Sequence, residues 1–398
     1  MDNHRVVVTG LGITNSLGHS LEDVSSGLAS GKNNFEIQQE KTQFGFQSLL
    51  QAAMPGQSIY KIERRKRRFM SESAIYTALC WLKAVDQCGL DPQQFVGPEV
   101  GIILGNDSSS QPLEDLMATL KKYKETHFLG SNMVLKVMNS CCSMNLGPFV
   151  GARGINITAS ANDASGAHAL GYAYNLIRSG KQQAVISGGF QEINWISMAS
   201  FDALGIFAKS EIPTTACRPF DQERIGTVPS GGGALLVLEN LERARRLGHN
   251  IYGEIIGYSF NSGKKTVEAY ETCMRSALKS AKLQSEEVEY INAHACGITD
   301  DDLEAQAIYN VFGSETPVSS TKSITGHELW MSGASEVLYS LLMMRDEFVA
   351  PSMNFEKQNR DIPKINIVTE TLQCKPKVVL SNTFGLGGTN ACIIIRAF

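Results

Sequence analysis

Gly231-Gly232-Gly233-Ala234-Leu235-Leu236-Val237-Leu238 is a glycine turn that runs straight into an apolar segment, and it has an echo. Gly385-Leu386-Gly387-Gly388-Thr389-Asn390-Ala391-Cys392-Ile393-Ile394-Ile395 repeats the arrangement near the other end of the chain. Short apolar runs bounded by turn residues read as strands buried on both faces. Working outward, further strands are expected at Arg5–Thr9, Val100–Gly105, Ile155–Thr158 and Ala184–Gly189 before the first turn. Ile251–Gly257, Glu289–His294 and Val378–Asn382 precede the second. Segments with helical spacing lie between them, at Phe69–Cys88, Ala164–Ser179, Val267–Ala281, Asp302–Val311 and Ala334–Met344. This alternation predicts a layered α/β protein, and the echo predicts a duplication with halves at residues 1–250 and 251–398.

The 398 residues are 43% hydrophobic and 19% charged, enough for a large buried core. A net charge of −4 leaves no broad basic footprint of the kind nucleic acid requires. The nine cysteines are scattered with no Cys-x-x-Cys pair, so they read as reduced thiols in a cytoplasmic protein. The segment Met1 to Asn15 lacks the features of a signal peptide, and no apolar stretch reaches the roughly 20 residues of a membrane span.

Chemistry gathers in the second half. Tyr290-Ile291-Asn292-Ala293-His294 sets a histidine at the carboxyl end of a strand, where α/β proteins build sites. Lys322-Ser323-Ile324-Thr325-Gly326-His327 puts an ammonium and an imidazole on one short loop. Asn382-Thr383-Phe384-Gly385-Leu386-Gly387-Gly388-Thr389-Asn390 forms a glycine-rich turn whose amides could line a site. Singly these are weak, since a strand-end histidine is more often structural. In this order, with Val6-Val7-Val8-Thr9-Gly10-Leu11-Gly12 at the start and Ala216-Cys217-Arg218-Pro219-Phe220-Asp221 in mid-chain, they resemble the thiolase-fold β-ketoacyl-acyl-carrier-protein synthases along the whole length. The resemblance implies a duplicated αβαβα layering, with His294 and His327 as enolate-binding histidines, Lys322 as an organising lysine and Phe384 as a gate.

In that family a cysteine nucleophile opens a helix. The corresponding stretch here is Thr158-Ala159-Ser160-Ala161-Asn162-Asp163-Ala164-Ser165-Gly166-Ala167-His168, and its flanks put Asp163 in the cysteine's place. A carboxylate attacks a thioester weakly and would yield a high-energy mixed anhydride, so self-acylation is expected to be lost. A malonyl carboxylate about 4 Å away would be repelled by roughly 4 kcal/mol at an effective dielectric of 20. The same electrostatics predict an ion-pair cluster of Asp163 with protonated His294, His327 or Lys322. After His294 the pantetheine-binding hydroxyls of the family give way to Ala295-Cys296-Gly297, the loop Asn261-Ser262-Gly263-Lys264-Lys265 is short, and Glu328, Trp330 and Met331 crowd a normally small-residue stretch.

The resemblance therefore points to a chain-length-factor-type subunit that pairs with an active β-ketoacyl synthase as a pseudo-symmetric heterodimer and needs no cofactor or metal. Asn106, Asp107, Ser108, Met138, Ser140, Cys141 and Cys142 fall in the matching interface and tunnel segments. Arg64, Arg65, Lys66, Arg67 and Arg68 match basic residues that dock acyl carrier protein; the alternative is a solvated loop. A synthase with an altered site (Cys296 taking over as nucleophile), a malonyl-carrier decarboxylase and a hydrolase using Asp163 as base stay open. No histidine follows His327 at four residues, so a zinc-protease motif is missing.

Overall fold

The computed structural model describes residues 4–56 and 61–398. Thirteen strands run in chain order: β1 Val6–Thr14, β2 Phe35–Ile37, β3 Leu50–Ala52, β4 Val100–Gly105, β5 Asn156–Ala159, β6 Ala184–Gln191 and β7 Gly232–Asn240 in the first part. β8 Gly253–Ser262, β9 Tyr290–Asn292, β10 Pro317–Ser319, β11 Asn366–Ile367, β12 Val378–Phe384 and β13 Thr389–Arg396 follow. Apart from the hairpin β2–β3 they form one sheet ordered β11-β10-β9-β12-β13-β8-β1-β7-β6-β4-β5. Outward from the centre, β1-β7-β6-β4-β5 and β8-β13-β12-β9-β10 share one pattern: two antiparallel steps, then two parallel ones. Within the sheet, among the described residues, the half-sheets meet where Val6–Val8 of β1 pairs with Gly253–Ile255 of β8. The topology is a duplication.

Two helices lie between the half-sheets. Ser332–Asp346 is buried continuously from Ser332 to Met344, and Ser165–Arg178 buries residues on every side of its first three turns. A helix apolar on all faces belongs to an inner layer. They cross where side chains are absent. A Cβ on Gly166 would stand 2.9 Å from the Ala334 nitrogen, and one on Gly333 would stand 2.6 Å from the Ala167 Cβ. Outer helices Glu72–Cys88 and Val267–Ala281 cover β1 with β7 and β8 with β13. Layers alternate αβαβα, and the crossing carries the Asp163 turn to the His327 loop.

The expected strand Val100–Gly105 and helix Val267–Ala281 coincide with the observed elements, and the other expected elements are present with shifted ends. Sequence pattern missed the short parallel strands β10 and β11, and the helices Leu21–Ser30, Ser110–Tyr123, Cys141–Val150 and Trp195–Leu204. All nine cysteines are free. Among the described residues no helix is long and apolar enough to cross a membrane.

Candidate active site

Asp163 sits on a sharp strand-to-helix turn between β5 and Ser165–Arg178. Asn162 holds φ at 54°, a left-handed value that asparagine tolerates. Hydrogen bonds tie the turn down: Ala161 N–H to Ser165 Oγ (2.8 Å), Ser165 Oγ to the Asn162 carbonyl (2.6 Å) and Thr389 Oγ1 to the Ala161 carbonyl (2.8 Å). The Asp163 N–H, free in principle to bind an oxyanion, donates instead to Asn162 Oδ1 at 2.7 Å. Its side chain is 6% exposed. Oδ2 accepts the Leu386 N–H at 3.2 Å, and Oδ1 lies 3.8 Å from His327 Nε2. Burial lifts the Asp163 pKa to about 6, against the pull of the Leu386 amide, Lys322 and Lys265.

His327 has a defined tautomer. Its Nδ1 accepts the Leu329 N–H at 3.1 Å, with Ser332 Oγ at 3.3 Å, so the ring proton resides on Nε2 and faces Asp163. His294 ends the β9 loop. Its N–H donates to Glu304 Oε1 (2.9 Å), its ring centre is 5.7 Å from that of His327, and its Nδ1 is buried without a partner. Burial, reinforced by the charge on Lys322, pushes both imidazoles well below their ordinary pKa. Lys322 Nζ pairs with Glu336, both fully buried. The expected cluster of Asp163 with cationic partners is thereby corrected: the imidazoles are neutral because desolvation penalises their charged form, and the Lys322 charge is held by Glu336.

Phe384 is buried and stacked on Tyr270, with centroids 4.0 Å apart and planes 5° from parallel, and it lies edge-on to His294. Asp163, His294, His327, Phe384, Phe201 and Leu329 line a cavity of about 20 Å³, the room of one water molecule. Lys265 and Asp300 also line it and are joined at 2.5 Å, from the short 261–265 loop to the start of helix Asp301–Phe312. Glu328 turns away from the cavity to Tyr339 (2.6 Å), Asn15 and Ser335, where burial raises its pKa to about 7. Trp330 packs against Phe201 at 5.6 Å and donates from Nε1 to Ser108 Oγ at 3.3 Å.

The interface candidates divide. Asn106, Cys141 and Cys142 are wholly buried inside the chain, so their side chains offer nothing to a partner's surface. Asn106 Nδ2 braces the Ser108 and Asn139 carbonyls, and Asp107 Oδ2 accepts the Asn162 N–H at 2.9 Å, which ties this segment to the Asp163 turn. Ser140 is half-buried, while Met138, Met144 and Ile157 are exposed near β5, an outer edge of the sheet. Arg64–Arg67 form a short exposed helix that Arg68 caps; Lys66 is 3.8 Å from the exposed Glu63 and sits over the Phe149 ring. Sequence reasoning located Asp163, His294, Lys322, His327 and Phe384, which the fold brings together. It missed the bond between Lys265 and Asp300 and the bond from the Asp163 amide to the Asn162 side chain, neither of which carries a motif.

His294, Cys296 and His327 offer ligand atoms within 4.8 Å of one another. The His327 tautomer argues against a metal there, because the Nε2 that faces the group carries a proton and its lone pair is not available.

Residues 3–244 match the N-terminal domain of β-ketoacyl synthase and residues 252–356 its C-terminal domain. The chain is 36% identical over 406 residues to 3-oxoacyl-[acyl-carrier-protein] synthase 1 of Haemophilus influenzae, covering 99% of each. It superposes on a β-ketoacyl synthase from Burkholderia phymatum with a TM-score of 0.94 at 30% identity, over 99% of this chain and 100% of that one. AntDE:AntF, a type II polyketide acyl-carrier protein in complex with its ketosynthase, gives a TM-score of 0.89 at 26% identity over 100% of both chains. The chain therefore belongs to the β-ketoacyl synthase family and has its thiolase-like fold.

Proposed function

We propose that this chain is a non-condensing subunit, a chain-length factor that pairs with a cysteine-bearing β-ketoacyl-acyl-carrier-protein synthase and shapes its acyl tunnel. One observation carries the reading: the carboxylate of Asp163 stands at the nucleophile's turn, and the two backbone amides beside it are already engaged. The Asp163 amide is held by Asn162, the Leu386 amide by the carboxylate itself, and the His327 Nε2–H faces that carboxylate. Acyl transfer needs a nucleophile and free donors for the tetrahedral oxyanion. This site supplies no nucleophilic thiol, and its two backbone amides are taken.

Two surfaces support a role in a complex. The edge of β5 and the exposed Met138, Met144 and Ile157 offer an apolar face of the sort that subunit interfaces cover. The exposed Arg64–Arg68 run suits an acidic acyl carrier protein. The polyketide or fatty-acid-like product belongs to the partner's chemistry. Purifying this chain with a cysteine-bearing synthase, then assaying malonyl-carrier condensation by each chain alone and by both, tests the reading. Activity should require the partner, and elongation by this chain alone would refute it.

A second reading, malonyl-carrier decarboxylation, is favoured by one feature. His294, His327, Lys322 and Phe384 are all in place around the cavity or beneath it. Release of carbon dioxide from malonyl-carrier protein by this chain alone, without condensation, would select it.

A further inference from the structure

An acyl group attached at residue 163 needs an apolar space next to the turn. The apolar cluster that adjoins the cavity consists of Met198, Phe201, Phe207, Leu329 and Trp330. Phe201 and Leu329 face the cavity, and the Trp330 indole stands behind Phe201, 6% exposed. An indole is the bulkiest side chain, removing about 150–250 Å² of surface from water when buried.

Trp330 is held at its backbone and at its indole nitrogen. The backbone of Trp330 and Met331 lies so close to Gly189 of β6 that a Cβ there would meet the Met331 Cα at 2.8 Å and the Trp330 carbonyl at 3.0 Å. At its far end Nε1 donates to Ser108 Oγ, which in turn donates to Glu192 Oε1 at 3.3 Å. The indole thus ends on the 106–110 segment. What remains beside Asp163 is the cavity of about 20 Å³.

We propose that Trp330 is a second lock on the site, independent of Asp163: its indole occupies the space that an acyl chain bonded to residue 163 would need. The inference rests on the non-condensing reading and extends it. Restoring a thiol at position 163 does not by itself restore acylation by a medium-length chain, because the product has nowhere to lie. In the acylation step the thiol sulfur bonds to the thioester carbonyl carbon. The pantetheine sulfur leaves and takes up the proton that the thiol gives up. No other reactant is needed.

Asp163→Cys, Trp330→Gly and the double variant, each as the full chain, are incubated with iodoacetamide, acetyl-pantetheine or octanoyl-pantetheine. Adducts at position 163 are then quantified by peptide mass spectrometry. Iodoacetamide should label both Asp163→Cys proteins. The octanoyl adduct should be greater in the double variant by roughly tenfold or more, the scale on which a filled apolar pocket rejects a larger ligand. The acetyl adduct should differ less. Equal octanoyl labelling of Asp163→Cys with Trp330 intact overturns the lock, as does a folded double variant that takes iodoacetamide but no octanoyl group. Should Trp330→Gly fail to fold, Trp330→Leu keeps an apolar filler while freeing the outer ring's volume and is read by the same outcomes. An acyl adduct on the unaltered chain would instead refute the non-condensing reading and leave the question of Trp330 separate.

Discussion

The Asp163 carboxylate takes the Leu386 amide at 3.2 Å, so the glycine-rich turn after β12 binds the side chain at the helix start rather than an incoming carbonyl. The pairing joins the two halves of the duplication at their common site. It gives the carboxylate one amide bond, leaves Oδ1 without a hydrogen bond, and excludes nearly all solvent. A buried anion with one strong donor is under-solvated, and its raised pKa expresses that cost.

The stability of the protein should accordingly carry a pH signature. The carboxyl binds its proton more tightly in the folded chain, where its pKa is about 6, than in the unfolded chain at about 3.9. Between these values the native state holds more protons, so stability falls as pH rises through this window and the cost is fully present above it. A difference of that size between the two states corresponds to about 3 kcal/mol as an upper bound. Asp163→Asn should stabilise the chain at pH 7.5 and lose most of that advantage by pH 4.5, measured by denaturant unfolding at both values. An advantage that did not change with pH would contradict the account.

Much of this arrangement is written in local pattern, and the rest is not. Val100–Gly105 is legible as a short continuous run buried on both faces, and Val267–Ala281 because its buried residues recur at helical spacing. β10 and β11 escape because two or three residues cannot show a period; β10 is a strand because β9 lies beside it, and β11 because β10 does. Cys141–Val150 is a helix despite Pro148 in its interior, where packing on β4 and β5 outweighs propensity. Asp163, His294, Lys322, His327 and Phe384 were found through the ordered motifs of a family. The Leu386 amide and the Asn162 side chain act through bonds to Asp163 that exist only once the turn has closed. The neutrality of the imidazoles was missed because charge pairing was reasoned without burial.

The crossing of the two inner helices is a close fit that an extra methyl group should break. Gly166→Ala places a Cβ 2.9 Å from the Ala334 nitrogen and 3.0 Å from its Cβ, and helix backbone cannot yield cheaply. Overpacking of this kind costs about 1–3 kcal/mol. Gly333→Ala, whose Cβ meets Ala167, should cost a similar amount, and the pair should fall short of additivity because they press on one crossing. Urea midpoints of the singles and the double check both statements.

Lys322 and Glu336 should behave as a buried pair whose halves are worth little apart. Lys322→Met strands the Glu336 carboxylate beneath the site, where removal of one partner typically costs about 3–5 kcal/mol. Adding Glu336→Leu should recover most of that loss, since an apolar pair of similar volume needs no solvation. A double variant no more stable than Lys322→Met would mean that the lysine contributes through packing alone.

The basic helix Arg64–Arg67 makes its prediction in solution rather than in the fold. Its side chains are exposed, and the nearest anion, Glu63, is itself exposed and only loosely paired with Lys66, so the helix contributes little to stability. What it offers is an unneutralised field in a chain of net charge −4, on the surface next to the Phe149 ring. An acidic acyl carrier protein would be steered to it, and exposed charges are screened over about 10 Å at 0.1 M salt. Binding of the carrier, followed by calorimetry or surface plasmon resonance, should weaken about tenfold in an Arg64→Glu, Arg65→Glu, Arg67→Glu variant at low salt. The unaltered chain should lose affinity steeply with added salt, while the variant, already without the attraction, should respond weakly or in the opposite sense. Both proteins should unfold at the same temperature. If the variant binds as well as the unaltered chain, the run is a solvated loop and the carrier docks elsewhere.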